Sequence, residues 1–242
     1  MRIPRIYTDQ PLKEGSSIYL SPTAAHYVAN VLRMKAGRDM ILFNGQGGEY
    51  TAVLNSVSKK TVSVSLINFV DINTESPLSI ELGVCLIKAD RMDWLIQKAT
   101  ELGVASISPL ISEFTDTNLP ADRYPKKIQH WRQIVENACQ QCGRTVLPSI
   151  YSPQPLSQWL EQVEADSKWV LHPYQATKLK PTGDRVKTIA LLAGPEGGLS
   201  DGECALARQQ QFTAICLGPR ILRTETAPLA ALSLLQYQFG DL

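Results

Sequence analysis

Hydrophobic and polar positions along the chain change period near residue 70. Before that point, Ser17–Leu20, Met40–Phe43, Glu49–Val57 and Thr61–Phe69 are short stretches rich in Val, Ile, Leu and Tyr, and they predict strands. Thr61-Val62-Ser63-Val64-Ser65-Leu66 alternates polar with apolar residues, as a half-buried strand does, because successive side chains point to opposite faces. Asn44-Gly45-Gln46-Gly47-Gly48 and Ser58-Lys59-Lys60 supply the turns. One helix interrupts the β pattern. Ser21 is a good N-cap, Pro22 suits the first helical position, and Ala24, Tyr27, Val28, Val31 and Leu32 recur at helical spacing, with Gly37 expected just past the end. A small β-barrel with one helix fits this segment.

The polar stretch Asp71–Pro77 predicts a domain boundary, giving domains over 1–72 and 73–242. Beyond it strands and helices alternate, which favours an α/β fold with a mostly parallel sheet. Ile80–Ile87 predicts an apolar strand and Ser106–Ile111 a second, and Trp169–Leu171, Thr188–Ala193 and Thr213–Leu217 are further strands, each short and apolar as buried parallel strands tend to be. Arg91–Leu102 predicts a helix with Met92, Leu95, Ile96, Ala99 and Leu102 on one face, closed by Gly103. Arg123–Cys142 predicts a long helix ending at Gly143, and Ala227–Phe239 a final one.

Composition adds a class. The chain is 44% hydrophobic and 19% charged with net charge +1, which reads as a soluble globular protein. No apolar run approaches the roughly 20 residues of a membrane span, and the N-terminus lacks a secretion signal. Five scattered cysteines do not form a disulfide framework, so a reducing cytoplasm is the expected compartment. The charge is unevenly placed. Residues 1–69 hold eight basic against four acidic side chains, and the remainder 16 against 19, so a segment of +4 precedes one of −3. A basic module on an acidic body suggests a polyanionic partner for the module.

Two loops share a design that suggests a ligand site. The strand Thr188–Ala193 runs into Gly194-Pro195-Glu196-Gly197-Gly198, and a helix follows at Ser200, where Ser200 and Glu203 form a capping box. The strand Thr213–Leu217 runs into Gly218-Pro219-Arg220-Ile221-Leu222-Arg223-Thr224 and then the last helix. Glycines at the carboxyl ends of parallel strands let a ligand approach the backbone. Neither a dinucleotide fingerprint nor a P-loop is present. The residues alone therefore define a small-molecule site beside two arginines and glutamates, without naming the molecule.

The run from Leu217 to Ala231 resembles the C-terminal signature of the bacterial 16S ribosomal RNA uridine-N3 methyltransferases, members of the SPOUT superfamily. Met1–Tyr7, His26 to Arg33, Gln97–Gly103 and Gly194–Ser200 resemble the same family in the same order, so the likeness spans nearly the whole chain. It implies an N-terminal PUA-like RNA-binding β-barrel and a C-terminal SPOUT domain with a deep trefoil knot. It also implies S-adenosyl-L-methionine as cofactor, a homodimer, no metal, and 16S rRNA of the small (30S) subunit as partner. By resemblance the cofactor is held by Leu171, His172 and Pro173, by Gly194, Pro195, Glu196, Gly197 and Gly198, and by Leu217, Gly218, Ile221, Leu222, Arg223 and Thr224. A SPOUT enzyme acting on another nucleotide, such as a tRNA ribose 2′-hydroxyl, and a non-catalytic RNA-binding protein are the competing readings.

Uracil N3 carries a proton, so methylation there needs that proton removed or the resulting anion stabilised. Arg223 is the expected stabiliser of charge on the ring, Arg220 the second candidate, and Glu196 either a general base or an orienting group. Arg2, Arg5, His26, Arg33 and Lys35 are the candidates for RNA phosphate. Cys139 and Cys142 have the spacing of a metal or redox pair, but the two further ligands zinc needs do not appear, and the pair ends a helix. They are expected to be buried thiols. Related sequences often carry Glu where this chain has Gln140, which leaves Gln140 and Gln141 as candidate substrate contacts. Glu101 is read either as orienting an active-site group or as pairing with Lys98.

Overall fold

The computed structural model describes residues 3–58, 61–116, 119–173, 177–178 and 186–242. Arg2 and the turn residues Lys59 and Lys60 lie outside the described residues. The chain divides into two compact units, one of residues 1–75 with 139–147, the other of 76–138 with 148–242.

In the first unit, β1 (Arg5–Tyr7), β2 (Ser17–Tyr19), helix α1 (Pro22–His26), β3 (Asp39–Phe43), β4 (Glu49–Val57) and β5 (Val62–Val70) build a five-stranded sheet of order β1-β3-β4-β5-β2. β1 runs parallel to β3, and every other pair is antiparallel. The alternation in β5 is realised: Val62, Val64 and Leu66 are buried while Ser63 and Ser65 face the other side. Each such apolar side chain contributes roughly 1.5–3 kcal/mol on burial. Two register shifts interrupt the β4–β5 ladder, and bulges of this kind bend a strand. Ile6, Met40, Leu42, Ala52 and Leu54 pack with Ala24, Ala25 and Val28, so α1 covers one face of the sheet.

Ser21 caps α1 as expected, accepting the Ala24 N–H at 3.3 Å. The end of the helix differs from expectation. α1 continues as a π-helical turn over Tyr27–Val31 and stops there, and it is Arg33, at φ 51° in the left-handed region, that follows its end. Gly37, at φ 81°, instead serves the turn into β3 and donates its N–H to Leu54 O at 2.7 Å.

The segment 139–147 joins this unit through polar contacts that no hydrophobic period announces. Gln140 Oε1 accepts the Tyr7 N–H at 3.0 Å, and Arg144 Nε reaches Glu75 Oε1 at 3.1 Å.

The second unit contains β6 (Ser79–Cys85), α2 (Ala89–Glu101), β7 (Ser106–Ile111) and α3 (Tyr124–Cys142), the last entered through a 3₁₀ turn at Ala121–Arg123 and passing into the first unit at Cys139. After these come β8 (Ser149–Ile150), β9 (Gln154–Pro155), α4 (Leu156–Gln162), β10 (Ser167–Leu171), β11 (Thr177–Lys178), β12 (Thr188–Ala193), α5 (Asp201–Gln209), β13 (Thr213–Cys216) and α6 (Thr226–Phe239). Every ladder is parallel, and the order is β11-β13-β10-β12-β6-β7-β8, with β9 also on β7. Ile189–Ala193 are all buried, the mark of a central strand covered on both faces. Helix α4, absent from the sequence-based expectation, buries Leu156, Trp159 and Leu160. Trp159 lies so close to β6 that a methyl group on Gly83 would stand 2.6 Å from the ring, and its Nε1 donates to Glu81 Oε1 at 2.6 Å. Helix α6 is pinned by fully buried Gln236, whose Nε2 donates to Leu102 O and Gly103 O at 3.1 and 3.3 Å.

Candidate functional site

The carboxyl ends of β10, β12 and β13 open onto one cleft of about 350 Å³, within the range of small-ligand sites. Leu171 ends β10, and His172 and Pro173 follow it; Gly194, Pro195, Glu196, Gly197 and Gly198 follow β12; Leu217, Gly218, Arg220, Ile221, Leu222 and Thr224 follow β13, and all line it. The sequence-based set is thus brought together, with one difference. Arg223 is not part of the lining; its side chain is exposed, while its carbonyl accepts the N–H groups of Thr226 and Ala227 at 2.9 Å each and starts α6.

Glycine is required here by conformation and by space. Gly198 and Gly218 adopt φ of 75° and 113°, which L side chains rarely take. A methyl group on Gly197 would stand 2.9 Å from Phe114 Cβ. The loop carrying Phe114 is held by Glu203: one carboxylate oxygen closes the capping box with the Ser200 N–H at 2.9 Å, and the other accepts the Glu113 N–H at 2.8 Å. The α5 cap therefore ties the loop after β7 to the loop after β12.

Sequence reasoning missed Arg91. Its Nη1 lies 3.4 Å from Glu196 Oε1 and 3.8 Å from Glu225 Oε2, so one guanidinium spans the loops that follow β12 and β13. Glu225 also accepts the Thr224 hydroxyl at 3.3 Å. The available signal was position: Arg91 sits in the first turn after an apolar parallel strand, the same place in the repeating unit as the two glycine loops.

Other expected residues fare differently. Arg5, expected at the RNA surface, is mostly buried and makes its contacts within the first unit. It is paired with Glu49, its Nη2 donates to Gly143 O and Arg144 O at 3.1 and 3.2 Å, its guanidinium stacks over Phe43, and its Nε is buried without a partner, so the side chain is largely spent on the fold. Gln140 spends its carbonyl on the Tyr7 N–H, so that part of it is not a substrate contact. Glu101 pairs with Lys98 Nζ at 2.8 Å, the plainer of its two readings. Cys139 is buried, and its thiol is pushed upward by its hydrogen bond to Cys142 and by burial. Burial likewise pushes Cys85 up to about 12, so both stay protonated near neutral pH. His26, Arg33 and Lys35 are exposed on the first unit.

An α/β unit with a glycine-walled cleft at its strand ends, in a chain whose other unit is a basic β-sheet domain, defines the class: a small-molecule site in a two-domain protein. The sequence model of the RNA methyltransferase domain matches residues 74–236, and that of the RNA methyltransferase PUA domain matches residues 20–67. The Ribosomal RNA small subunit methyltransferase E of Buchnera aphidicola subsp. Schizaphis graminum is 38% identical over 100% of this chain and 98% of its own. The Bacillus subtilis protein of the same name is 31% identical over 96% of this chain and 94% of its own. A solved structure of Ribosomal RNA small subunit methyltransferase E from Neisseria gonorrhoeae, bound to S-adenosyl methionine, matches with a TM-score of 0.93 at 34% identity over 100% of both chains. A Legionella pneumophila protein solved with its bound cofactor SAM matches with a TM-score of 0.97 at 40% identity, again over 100% of both. The chain belongs to the ribosomal RNA small subunit methyltransferase E family.

Proposed function

We propose that this protein transfers a methyl group from S-adenosyl-L-methionine to N3 of a uridine in the 16S rRNA of the small ribosomal subunit. The observation that carries the reading is the convergence of three strand-end loops on one cleft, in a chain whose full-length relatives are named as small-subunit ribosomal RNA methyltransferases. The residues present fit the cofactor. Leu171, Leu217, Ile221 and Leu222 offer an apolar wall for a purine ring, and the glycines expose backbone donors and acceptors to its polar groups. When bound, the cofactor supplies an electrophilic methyl group.

The chain's own residues must then place and charge-balance the uracil. Arg223 has an exposed guanidinium with no hydrogen bond or ion pair among the described residues, so it is free to lie against O2 or O4 and stabilise the charge left on the ring when N3 gives its proton to solvent water. Arg220 stands at the cleft itself as a second cation, and Glu196 orients the site from its ion pair with Arg91. His26, Arg33 and Lys35 present their exposed side chains to RNA phosphate.

A trefoil knot in the C-terminal part belongs to the same reading. It is supported by the placing of β10 between β12 and β13, both of which follow it in the chain. A homodimer is supported by the apolar side chains of Leu234 and Tyr237, which α6 leaves exposed, together with Ile221 and Leu242. The site as read needs no metal, and the expected compartment is the cytoplasm, where small subunits are assembled.

The test is methyl transfer from labelled cofactor to small subunits lacking the modification, followed by nucleoside mass spectrometry. 3-Methyluridine supports the proposal. A ribose-methylated nucleotide, or no transfer to the subunit, overturns it.

A further inference from the structure

We infer that Arg91 is a positioning residue that locks the two cofactor loops into one wall, an inference that rests on the functional reading above. Arg91 comes from a third place in the fold, the first turn of α2 after β6, the strand that pairs with β12. Its Nη1 stands 3.4 Å from Glu196, on the loop after β12, and 3.8 Å from Glu225, at the start of α6. Neither glutamate is an isolated surface charge. Glu196 lines the cleft between Pro195 and Gly197, and Glu225, only 13% exposed, accepts the hydroxyl of cleft-lining Thr224. A continuous polar chain therefore runs Thr224–Glu225–Arg91–Glu196, from one side of the cleft to the other. In the sheet, β10 separates β12 from β13, so their loops share no ladder that would set their spacing. The guanidinium supplies that connection.

Geometry also separates this role from a chemical one. Arg91 is not among the cleft-lining residues; it acts on ligand only through the carboxylates it holds. Its loss should weaken cofactor binding while leaving the methyl-transfer step itself nearly intact once the site is saturated. A partly exposed ion pair is worth up to about 1 kcal/mol, and 1.4 kcal/mol is tenfold, so two pairs lost together predict a rise in dissociation constant of about three- to tenfold. Lysine restores a positive charge but not the guanidinium's reach and fork, and should recover only part.

The experiment measures S-adenosylmethionine affinity by calorimetry for the wild-type full chain, Arg91→Ala, Arg91→Lys and Glu225→Gln, with thermal melts to verify folding. KM for cofactor and kcat on small subunits are then measured. Expected are a Kd raised about three- to tenfold in Arg91→Ala, an intermediate value in Arg91→Lys, and KM rising with Kd while kcat stays within about threefold. The Arg91→Ala/Glu225→Gln pair should be less than additive, because both changes remove one contact. A wild-type Kd in Arg91→Ala, or a kcat that collapses with Kd unchanged, overturns the positioning role. If Arg91→Ala fails to fold, Arg91→Lys and Glu225→Gln decide by the same criteria. Wild-type protein that binds no S-adenosylmethionine overturns the functional reading, and this inference with it.

Discussion

Gln140 Oε1 accepts the backbone N–H of Tyr7 at 3.0 Å, joining the last turn of α3 to strand β1 within the first unit. The bond needs only an sp² oxygen at residue 140, which Gln and Glu both present to an N–H. Gln140→Glu keeps that acceptor and should cost clearly less stability than a substitution that removes it. Gln140→Leu leaves the Tyr7 N–H without its acceptor and should cost about 1–3 kcal/mol. Urea midpoints of the two variants check both outcomes. An inactive Gln140→Glu would show that the position acts in the chemistry.

Gly197→Ala puts a methyl carbon 2.9 Å from Phe114 Cβ, so one of the two loops must yield. Overpacking of this kind costs roughly 1–3 kcal/mol. Because Gly197 lines the cleft, cofactor affinity should fall with stability. Phe114→Gly removes the obstructing Cβ, so the double variant should regain most of the lost stability. Melting temperature and calorimetric Kd for the three variants give the cycle, and a double variant no better than Gly197→Ala would place the strain elsewhere.

These contacts mark the limit of what sequence reveals. The cleft loops are legible because glycine, proline and a Ser-x-x-Glu cap are local signals: the residues that make the turn adjoin one another at 194–203. The strands Val62–Val70 and Thr188–Ala193 are legible because burial on one face writes an alternating pattern into the first half of one and burial on both faces a continuous apolar run into the other. Arg91 was not legible, because it meets Glu196 across 105 residues and Glu225 across more, and a polar residue on a helix has no period of its own. The contacts of Arg5 were hidden for the same reason, since Glu49, Gly143 and Arg144 are all distant in sequence. Helix α4 escaped because seven residues with three buried positions do not fill a helical window.

Arg33 combines backbone strain with an exposed charge. A non-glycine residue at φ 51° costs roughly 1–2 kcal/mol, and such outliers concentrate at functional positions. Arg33→Gly relieves that strain while removing a candidate phosphate contact. Stability should rise by up to about 1 kcal/mol, offset in part by the greater freedom of unfolded glycine, while RNA affinity and its salt dependence both fall. Denaturant melts and filter binding at two salt concentrations separate the effects. Higher stability with an unchanged salt slope would remove Arg33 from the RNA surface.

Asp93 links α2 to α3, accepting from His130 Nε2 at 2.6 Å, Lys127 Nζ at 3.1 Å and Trp131 Nε1 at 3.2 Å. Burial alone would raise its pKa, but the bonds from His130 and Lys127 outweigh it and hold the carboxyl below 3.8, its ordinary value. A carboxyl that titrates lower folded than unfolded stabilises the fold above its unfolded value, and the contribution disappears as pH falls through the folded one. Stability should therefore fall on acidification below 3.8, by less than about 1 kcal/mol from this partly exposed group. Asp93→Asn should be less stable at pH 7 and lose less than wild type between pH 5 and pH 3. Parallel pH profiles for the two proteins would assign the acid sensitivity to other carboxyls.

Arg223 offers the sharpest test of the proposed chemistry, because its side chain can be removed without touching the backbone contact that starts α6. The carbonyl of residue 223 still accepts the Thr226 and Ala227 N–H groups in Arg223→Ala, so fold and cleft should persist. If the guanidinium stabilises charge on the uracil ring, its loss should lower kcat by about 10²–10³, the usual effect of deleting one such donor. Cofactor Kd should change by less than about threefold, since Arg223 does not line the cleft. Arg223→Lys should recover little, because a single ammonium cannot offer the planar pair of donors. Single-turnover methyl transfer at saturating cofactor isolates this step from binding. Wild-type turnover in Arg223→Ala would move the charge-stabilising task to Arg220, the cation that does line the cleft, and Arg220→Ala would then show the kcat loss instead.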